Sequence, residues 1–419
     1  MAKILYLVHR MPYPPNKGDK VRSYHLLRHL AERHQVYLGT FIDDPDDEAH
    51  IDTLRGWCAD LHVARLQPTA ARLASLRGLV NGQALTLPYY RNAGLAEWVK
   101  KTQAAESIDA TVVFSACMAQ YTSPQQGARV IVDFVDVDSA KWAEYAHQHR
   151  WPMSWLYRRE GRQLLAYERA VASRVAHGFF STEKETELFL GLAPECAGQV
   201  SAMNNGVDAN YFSPLADRPS PFQPNETAIV FTGAMDYWPN IDAVTWFARE
   251  ALPALRQSFP GLRFHIVGRS PAPAVQALAT DGVVVTGTVP DVRPYLQHAA
   301  VVVAPLRLAR GIQNKVLEAM AMARPVVAAQ ACVQALHAQP GQEIVSAQDS
   351  PDFVREVTAL LHDPQRASAT GRAGRQRVLQ SYDWPAHLSL LARQLDSLLR
   401  QVAPPAVAAM PRHTAESMT

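Results

Sequence analysis

Along this chain, short apolar runs alternate with longer stretches in which apolar positions recur every three or four residues. The short runs predict buried strands near 3–8, 35–41, 59–66, 108–115, 129–136 and 177–181. The longer stretches predict helices near 18–33, 46–57, 68–80, 93–106, 152–174 and 182–191. Alternation of this kind predicts a parallel sheet covered by helices. The pattern breaks around 199–227. There Val200-Ser-Ala-Met-Asn-Asn-Gly ends in a turn, and a stretch carrying Pro214, Pro219, Pro221 and Pro224 follows as a linker or surface excursion. Alternation then restarts, with strands near 228–233, 263–267, 283–286, 300–304 and 325–329. The fold class expected is α/β, with two units of similar size and a cleft between them. From about 402 the Ala- and Pro-rich tail reads as disordered.

Composition narrows the classes without changing this picture. Of 419 residues, 48% are hydrophobic and 19% charged, which suits a globular chain with a large core. Lysine and arginine number 41 against 39 acids, so nothing argues for nucleic acid as a partner. Cys58, Cys117, Cys196 and Cys332 stand far apart, which argues against a zinc site and fits a reducing cytoplasm. The opening apolar run is too short for a signal peptide, and no stretch approaches the ~18 apolar residues of a membrane helix. Membrane contact, if any, is expected from the surface.

Specific motifs cluster in two places. The first comprises Val283-Val-Val-Thr-Gly-Thr-Val-Pro-Asp-Val-Arg-Pro-Tyr-Leu, Ala300-Val-Val-Val-Ala-Pro and Gly311-Ile-Gln-Asn-Lys-Val-Leu-Glu-Ala-Met-Ala. The second is Asn204-Asn-Gly-Val-Asp-Ala-Asn-Tyr-Phe-Ser-Pro. On these residues the chain resembles the family 4 glycosyltransferases, whose GT-B fold has two Rossmann-like domains facing a central cleft. Pro12-Tyr-Pro-Pro-Asn-Lys-Gly-Asp-Lys-Val-Arg resembles a subgroup tied to exopolysaccharide synthesis in bacteria with PEP-CTERM/exosortase systems. The resemblance implies an acceptor-side domain over 1–205 and a nucleotide-sugar domain over 206–384. It also implies a C-terminal helix over 385–401 that packs back on the first domain, and a tail over 402–419.

Residue by residue, the resemblance puts the donor against the second domain. Small and apolar positions in Leu317-Glu-Ala-Met-Ala-Met-Ala recur at helical spacing, and the free amides of such a helix's first turn suit a diphosphate. Gly311 permits close backbone approach, Asn314 opens the helix and Lys315 adds a positive charge. Glu318 matches the second acid of the family's Glu-x7-Glu motif, which accepts hydrogen bonds from the donor ribose; the plainer reading is a surface helix acid. Eight residues earlier, Arg310 stands where the first acid is usual. It either neutralises the diphosphate or pairs with a carboxylate on the donor sugar. Gly233 and Gly268 match glycines near the nucleotide. After Gly233 the usual Arg is Ala234, and Pro239-Asn240 stand where Lys is expected, which leaves Lys315 and Arg310 as substitutes.

In the first domain, Gly18 matches the loop facing the donor phosphates and the acceptor, with Lys17-Gly-Asp-Lys replacing the more usual Gly-Gly. Asp133, Asp136 and Asp138 end a strand at the edge where α/β sites form, and Asp136 is the first choice for contact with sugar hydroxyls. His9 and Arg10 are expected on the acceptor side. Segment 141–174 carries seven basic residues against three acids, interleaved with Trp142, Trp151, Trp155 and Tyr157. It is either a membrane-interface element or an ordinary helix with core aromatics.

The implied reaction is transfer from a UDP- or GDP-sugar to a glycan or polyprenyl-linked acceptor, with retention of configuration. Neither cofactor nor metal is expected. The implied place is the cytoplasm, peripherally on the inner membrane face. A nucleotide-sugar epimerase of the same fold and a noncatalytic sugar-nucleotide-binding protein are the alternatives. A dinucleotide-dependent dehydrogenase would show GxGxxG after its first strand, and the chain does not.

Overall fold

The structure, a computed structural model, describes residues 1–15, 18–307 and 311–402. The proposed disordered tail therefore lies, beyond 402, outside the described residues. Seven strands form the first sheet: β1 Lys3–Val8, β2 Gln35–Ile42, β3 Asp60–Arg65, β4 Ala110–Phe114, β5 Val130–Val135, β6 His177–Phe180 and β7 Val200–Ala202. Their order is β3-β2-β1-β4-β5-β6-β7, with every neighbouring pair parallel. Six more strands form the second: β8 Thr227–Thr232, β9 Leu262–Val267, β10 Val283–Gly287, β11 Val301–Ala304, β12 Val326–Ala329 and β13 Val345–Ala347. Their order is β10-β9-β8-β11-β12-β13, again all parallel.

Burial explains why the strands read as continuous apolar runs. Ile4 through Val8 are all fully buried, because helices cover both faces of the first sheet. One face packs Leu5, Leu7, Val113 and Val132; the other packs Ile4, Tyr6, Val8 and Val112. In each sheet the strand order reverses beside its first strand, between β1 and β4 and between β8 and β11. A crevice forms there beyond the carboxyl ends of the strands.

The structure departs from the sequence reading in four places. β7 and β13 are three-residue edge strands, too short to show a period, and β7 lies where the alternation breaks, just before the stretch read as linker. The helix read over 46–57 is a 3-10 turn, Pro45–His50, followed by a short helix, Ile51–Arg55. The one read over 68–80 breaks into Pro68–Ser75 and Arg77–Val80. An unanticipated helix, Asp138–Gln148, packs against the helix Met153–Ala172. Gly161 permits that contact, since a Cβ there would lie 3.0 Å from the Ser139 carbonyl oxygen.

The final helix, Trp384–Val402, returns to the first sheet. Trp384, Leu388, Leu391, Leu395 and Leu398 join the same core cluster as Ile4, Tyr6 and Val8. The chain thus crosses between domains twice, and the crossings run side by side. Val207 donates to the Tyr382 carbonyl at 2.8 Å and forms a parallel bridge with Asp383.

Beneath the cleft, Arg22 of the helix Gly18–Ala31 is 1% exposed. Its guanidinium clamps Asp133 at 2.7 and 3.1 Å and also donates to the Met203 carbonyl and Asn205 Oδ1. One side chain thereby joins helix, sheet and the outgoing crossing. Removing one partner of a buried pair strands the other charge. Arg22→Ala should therefore lower stability by about 3–5 kcal/mol. A melting temperature unchanged from the parent protein would contradict this.

Candidate active site

The donor-side residues assemble at the carboxyl edge of the second sheet. Gly233 follows β8 and Gly268 follows β9. A Cβ on Gly268 would fall 1.6 Å from the Gly233 carbonyl oxygen, so the two loops touch backbone to backbone and no side chain fits between them. A Cβ on Gly233 would lie 3.0 Å from Lys315 Nζ. That amine comes from the helix Asn314–Ala321, lies over the Phe231 ring at 4.3 Å and donates to Asn240 Oδ1. Asn240 is in turn held by the bond from its Nδ2 to the Ala234 carbonyl at 2.8 Å. Lys315 thus comes beside Gly233 and Asn240 from a helix that begins at Asn314, so the cation stands near Gly233 in space and not in sequence.

Gln313, extended at the N-cap, gives the helix Asn314–Ala321 no side-chain cap. The Val316 amide donates to the Gln313 carbonyl at 2.9 Å, and the two amides before it, of Asn314 and Lys315, are the ones that suit an anion. Asn314 Oδ1 is buried without a hydrogen-bond partner among the described residues. One turn on, Glu318 shares the helix face with Asn314 and Lys315. Burial pushes its carboxyl up to about 7, with Lys315 pulling the other way. Burial also pushes the Lys315 amine down to about 8, against Cys332 and Glu318. Arg310 lies outside the described residues.

At the facing edge of the first sheet, the three aspartates separate. Asp133 is buried against Arg22, and burial outweighs that cation to raise its pKa. Asp136 accepts from Ser181 Oγ at 2.6 Å and pairs with Lys141 at 2.8 Å. Burial works to raise its pKa, but Lys141 and Ser181 outweigh it and hold the carboxyl below the usual range. Asp138 begins the next helix and shares Lys141 at 3.0 Å. Val135 has φ 70° and Ser115, just after β4, has φ 74°. Two non-glycine residues in this conformation cost on the order of 1–3 kcal/mol each, and such strain gathers at functional sites. His9 stacks on Phe114 with centroids 5.7 Å apart and meets Tyr90 edge-on. Arg10 grips Asp43 in a two-point ion pair with 2.9 and 2.8 Å contacts.

The two edges face each other closely. A Cβ on Gly18 would lie 3.9 Å from Asn314 Nδ2, and one on Gly311 would lie 3.7 Å from Thr182 Cγ2. Thr182 adjoins Ser181, so the Gly311 loop comes close to Asp136. Arg269, next to Gly268, reaches Asp44 of the first domain at 3.8 Å. Gly18 and Asn314, Gly311 and Thr182, and Arg269 and Asp44 are thus neighbours across the two domains, with Gly233, Gly268 and Lys315 meeting on the second-domain side. Sequence reasoning missed Arg22, Asn240 as the Lys315 anchor, and the Arg269–Asp44 contact; the glycine preceding Arg269 was the only signal for the last. Among the described residues, no group of three or more His, Cys, Asp or Glu side chains is placed to hold a metal ion.

Comparison with known proteins bears on the architecture. Residues 226–363, about a third of the chain, match the family model described as Glycosyl transferases group 1. Among curated proteins no relative matches. Solved structures match over nearly the whole chain. Sucrose-phosphate synthase from Thermosynechococcus elongatus is 18% identical with a TM-score of 0.71, covering 96% of this chain and 100% of its own. Anabaena HepE in complex with UDP-glucose is 15% identical with a TM-score of 0.63, covering 95% and 100%. WaaG, a glycosyltransferase involved in lipopolysaccharide biosynthesis, is 15% identical with a TM-score of 0.63, covering 94% and 99%. At these identities the likeness establishes architecture: the chain has the two-domain GT-B fold, with the match to the glycosyl transferases group 1 model falling in its second domain.

Proposed function

We propose that this protein transfers a glycosyl group from a UDP- or GDP-sugar to a glycan or polyprenyl-linked acceptor. The observation that carries the reading is the convergence of touching glycine loops, an uncapped helix N-terminus, a half-buried lysine and an adjacent carboxylate. Such a set recognises a nucleoside diphosphate: amides and Lys315 bind the phosphates, and Glu318 accepts from two neighbouring ribose hydroxyls. Asp136 across the cleft orients sugar or acceptor hydroxyls. The binding of UDP-glucose by HepE supports a nucleotide-sugar donor here.

In this reading the protein stabilises the departing diphosphate and positions the acceptor. Retention of configuration fits a leaving phosphate that takes the acceptor proton on the same face. A role in exopolysaccharide assembly, in the subgroup associated with exosortase systems and on the cytoplasmic membrane face, is part of the same proposal. A thermal-shift series across UDP- and GDP-sugars tests it. The matching donor, at about a hundred times its Kd, should add about 2.7 kcal/mol of stability. If no nucleotide sugar stabilises the protein or is consumed by it, the reading fails. Turnover should also persist in EDTA, because helix amides and Lys315 carry the phosphate charge. Complete loss restored by magnesium or manganese would show that a metal shares that task.

A further inference from the structure

The turn after Gly233 carries two aromatic side chains that the donor-side chemistry does not use. Tyr237 is 60% exposed, and Trp238, which follows it, is 63% exposed. The turn itself is held firmly. The Tyr237 amide donates to the Ala234 carbonyl at 3.4 Å, and the Tyr237 carbonyl accepts from the amides of Asn240 and Ile241 at 2.9 and 3.1 Å. Pro239 lies in the first turn of the helix Trp238–Trp246 and fixes one backbone angle there. Large apolar groups held in place and left in water mark an interaction site.

Tyr237 reaches the first domain. Burial is the largest cause raising the pKa of its hydroxyl, followed by Tyr145; Lys141 opposes them and Asp136 adds to them. Tyr145, Lys141 and Asp136 all belong to the first domain. The hydroxyl end is therefore enclosed on that side, while much of the ring stays open. Tyr145 is itself held in place. On the helix Asp138–Gln148 it stands one turn beyond Lys141 and two beyond Asp138, on one side. Its ring meets Trp142 edge-on at 5.9 Å and Tyr157 at 6.3 Å, and 44% of the residue remains exposed.

Two open phenol rings, one from each domain, thus stand near a carboxylate and an ammonium. This combination recognises a saccharide. A pyranose presents a face of C–H groups, which suits the negative face of an aromatic ring. It also presents a rim of hydroxyls, which donate to a carboxylate and accept from an ammonium. Charge narrows the class. Asp136 and Asp138 share Lys141, so carboxylates outnumber the cation and an acidic sugar would be repelled. The candidate nucleotide groups Asn314, Lys315 and Glu318 lie on a different helix, and three of the four groups gathered here come from the first domain.

We propose that Tyr237 and Tyr145 stack on a neutral pyranose of the acceptor, with Asp136 and Lys141 hydrogen-bonding its hydroxyls. Calling the saccharide the acceptor rests on the transferase reading. Its binding does not, and it is measured without donor, so the two fail separately.

The test is binding of the full chain to an array of immobilised neutral and acidic oligosaccharides, followed by calorimetric titration of the best-bound one in solution. The parent protein should bind neutral glycans. Tyr237→Ala and Tyr145→Ala should each weaken that binding about tenfold, the loss of one ring contact. Tyr237→Phe and Tyr145→Phe keep the ring and should stay within about threefold of the parent. All four variants should retain the parent's melting temperature, since both side chains are exposed, and its thermal response to UDP-glucose. The inference is overturned if the parent binds no glycan or only acidic ones, or if the alanine variants bind like the parent. Equal losses in the phenylalanine and alanine variants also overturn it, because hydroxyls and not ring faces would then hold the ligand. So does an alanine variant that keeps glycan binding and loses the response to UDP-glucose, because the donor sugar would then occupy the rings.

Discussion

Lys315→Met should reduce kcat/KM on the order of 10²–10³-fold, the cost of removing one charge-stabilising group from a leaving-group site. Three observations carry this expectation. The amine stands beside Gly233, where backbone approaches most closely. It is held by Asn240 and the Phe231 face, so its position is set before a ligand arrives. Burial pushes it down to about 8, so it is still protonated at neutral pH but poorly solvated. A cation in that state gains more from an incoming diphosphate than a hydrated one would. Lys315→Arg should rescue little, because the space between ring and amide fits a compact amine rather than a planar fork. Steady-state transfer by the three proteins decides the matter. Turnover of Lys315→Met within threefold of the parent would place the phosphates elsewhere.

Glu318→Ala should weaken donor binding by about 2–3 kcal/mol, the loss of charge-assisted hydrogen bonds to two hydroxyls. The pH profile gives a sharper test. With the carboxyl pushed up to about 7, the free protein holds a proton there at lower pH. A donor that prefers the ionised acid must displace that proton, so affinity should rise toward about 7 by at most about tenfold per pH unit. Above about 8, Lys315 loses its proton and affinity should fall. Glu318→Gln should flatten the acid limb and leave the alkaline limb in place. Calorimetric titration of donor between these limits reads both. An acid limb that survives in Glu318→Gln would assign it to another group.

Much of the architecture is legible in the chain because parallel strands buried on both faces leave unbroken apolar runs. The glycines after β8 and β9 are legible as strand-end punctuation, and the family resemblance points to the same positions. What escapes is long-range pairing. Asp133, Asp136 and Asp138 are equivalent in sequence. Only the fold gives the first to Arg22, 111 residues away, and the second to Ser181 and Lys141. Asn240 reads as a lost lysine, yet in space it anchors the lysine that takes that place. The three-residue strands escape for a different reason, being shorter than any period.

The paired crossings have a consequence for biosynthesis. Because Trp384 to Leu398 complete a core begun by Ile4 to Val8, the second domain is an insertion within the first. The ribosome releases the opening seven strands long before the helix that covers one face of them. During that interval the apolar row of Ile4, Tyr6, Val8 and Val112 lacks part of its cover, while the inserted domain already has every residue of its own cluster, from Val207 to Tyr382. The first domain's core is therefore completed only by residues synthesised after the whole second domain. A chain cut before Trp384 would keep the donor-side residues and lose the hydrophobic seal beneath the acceptor side.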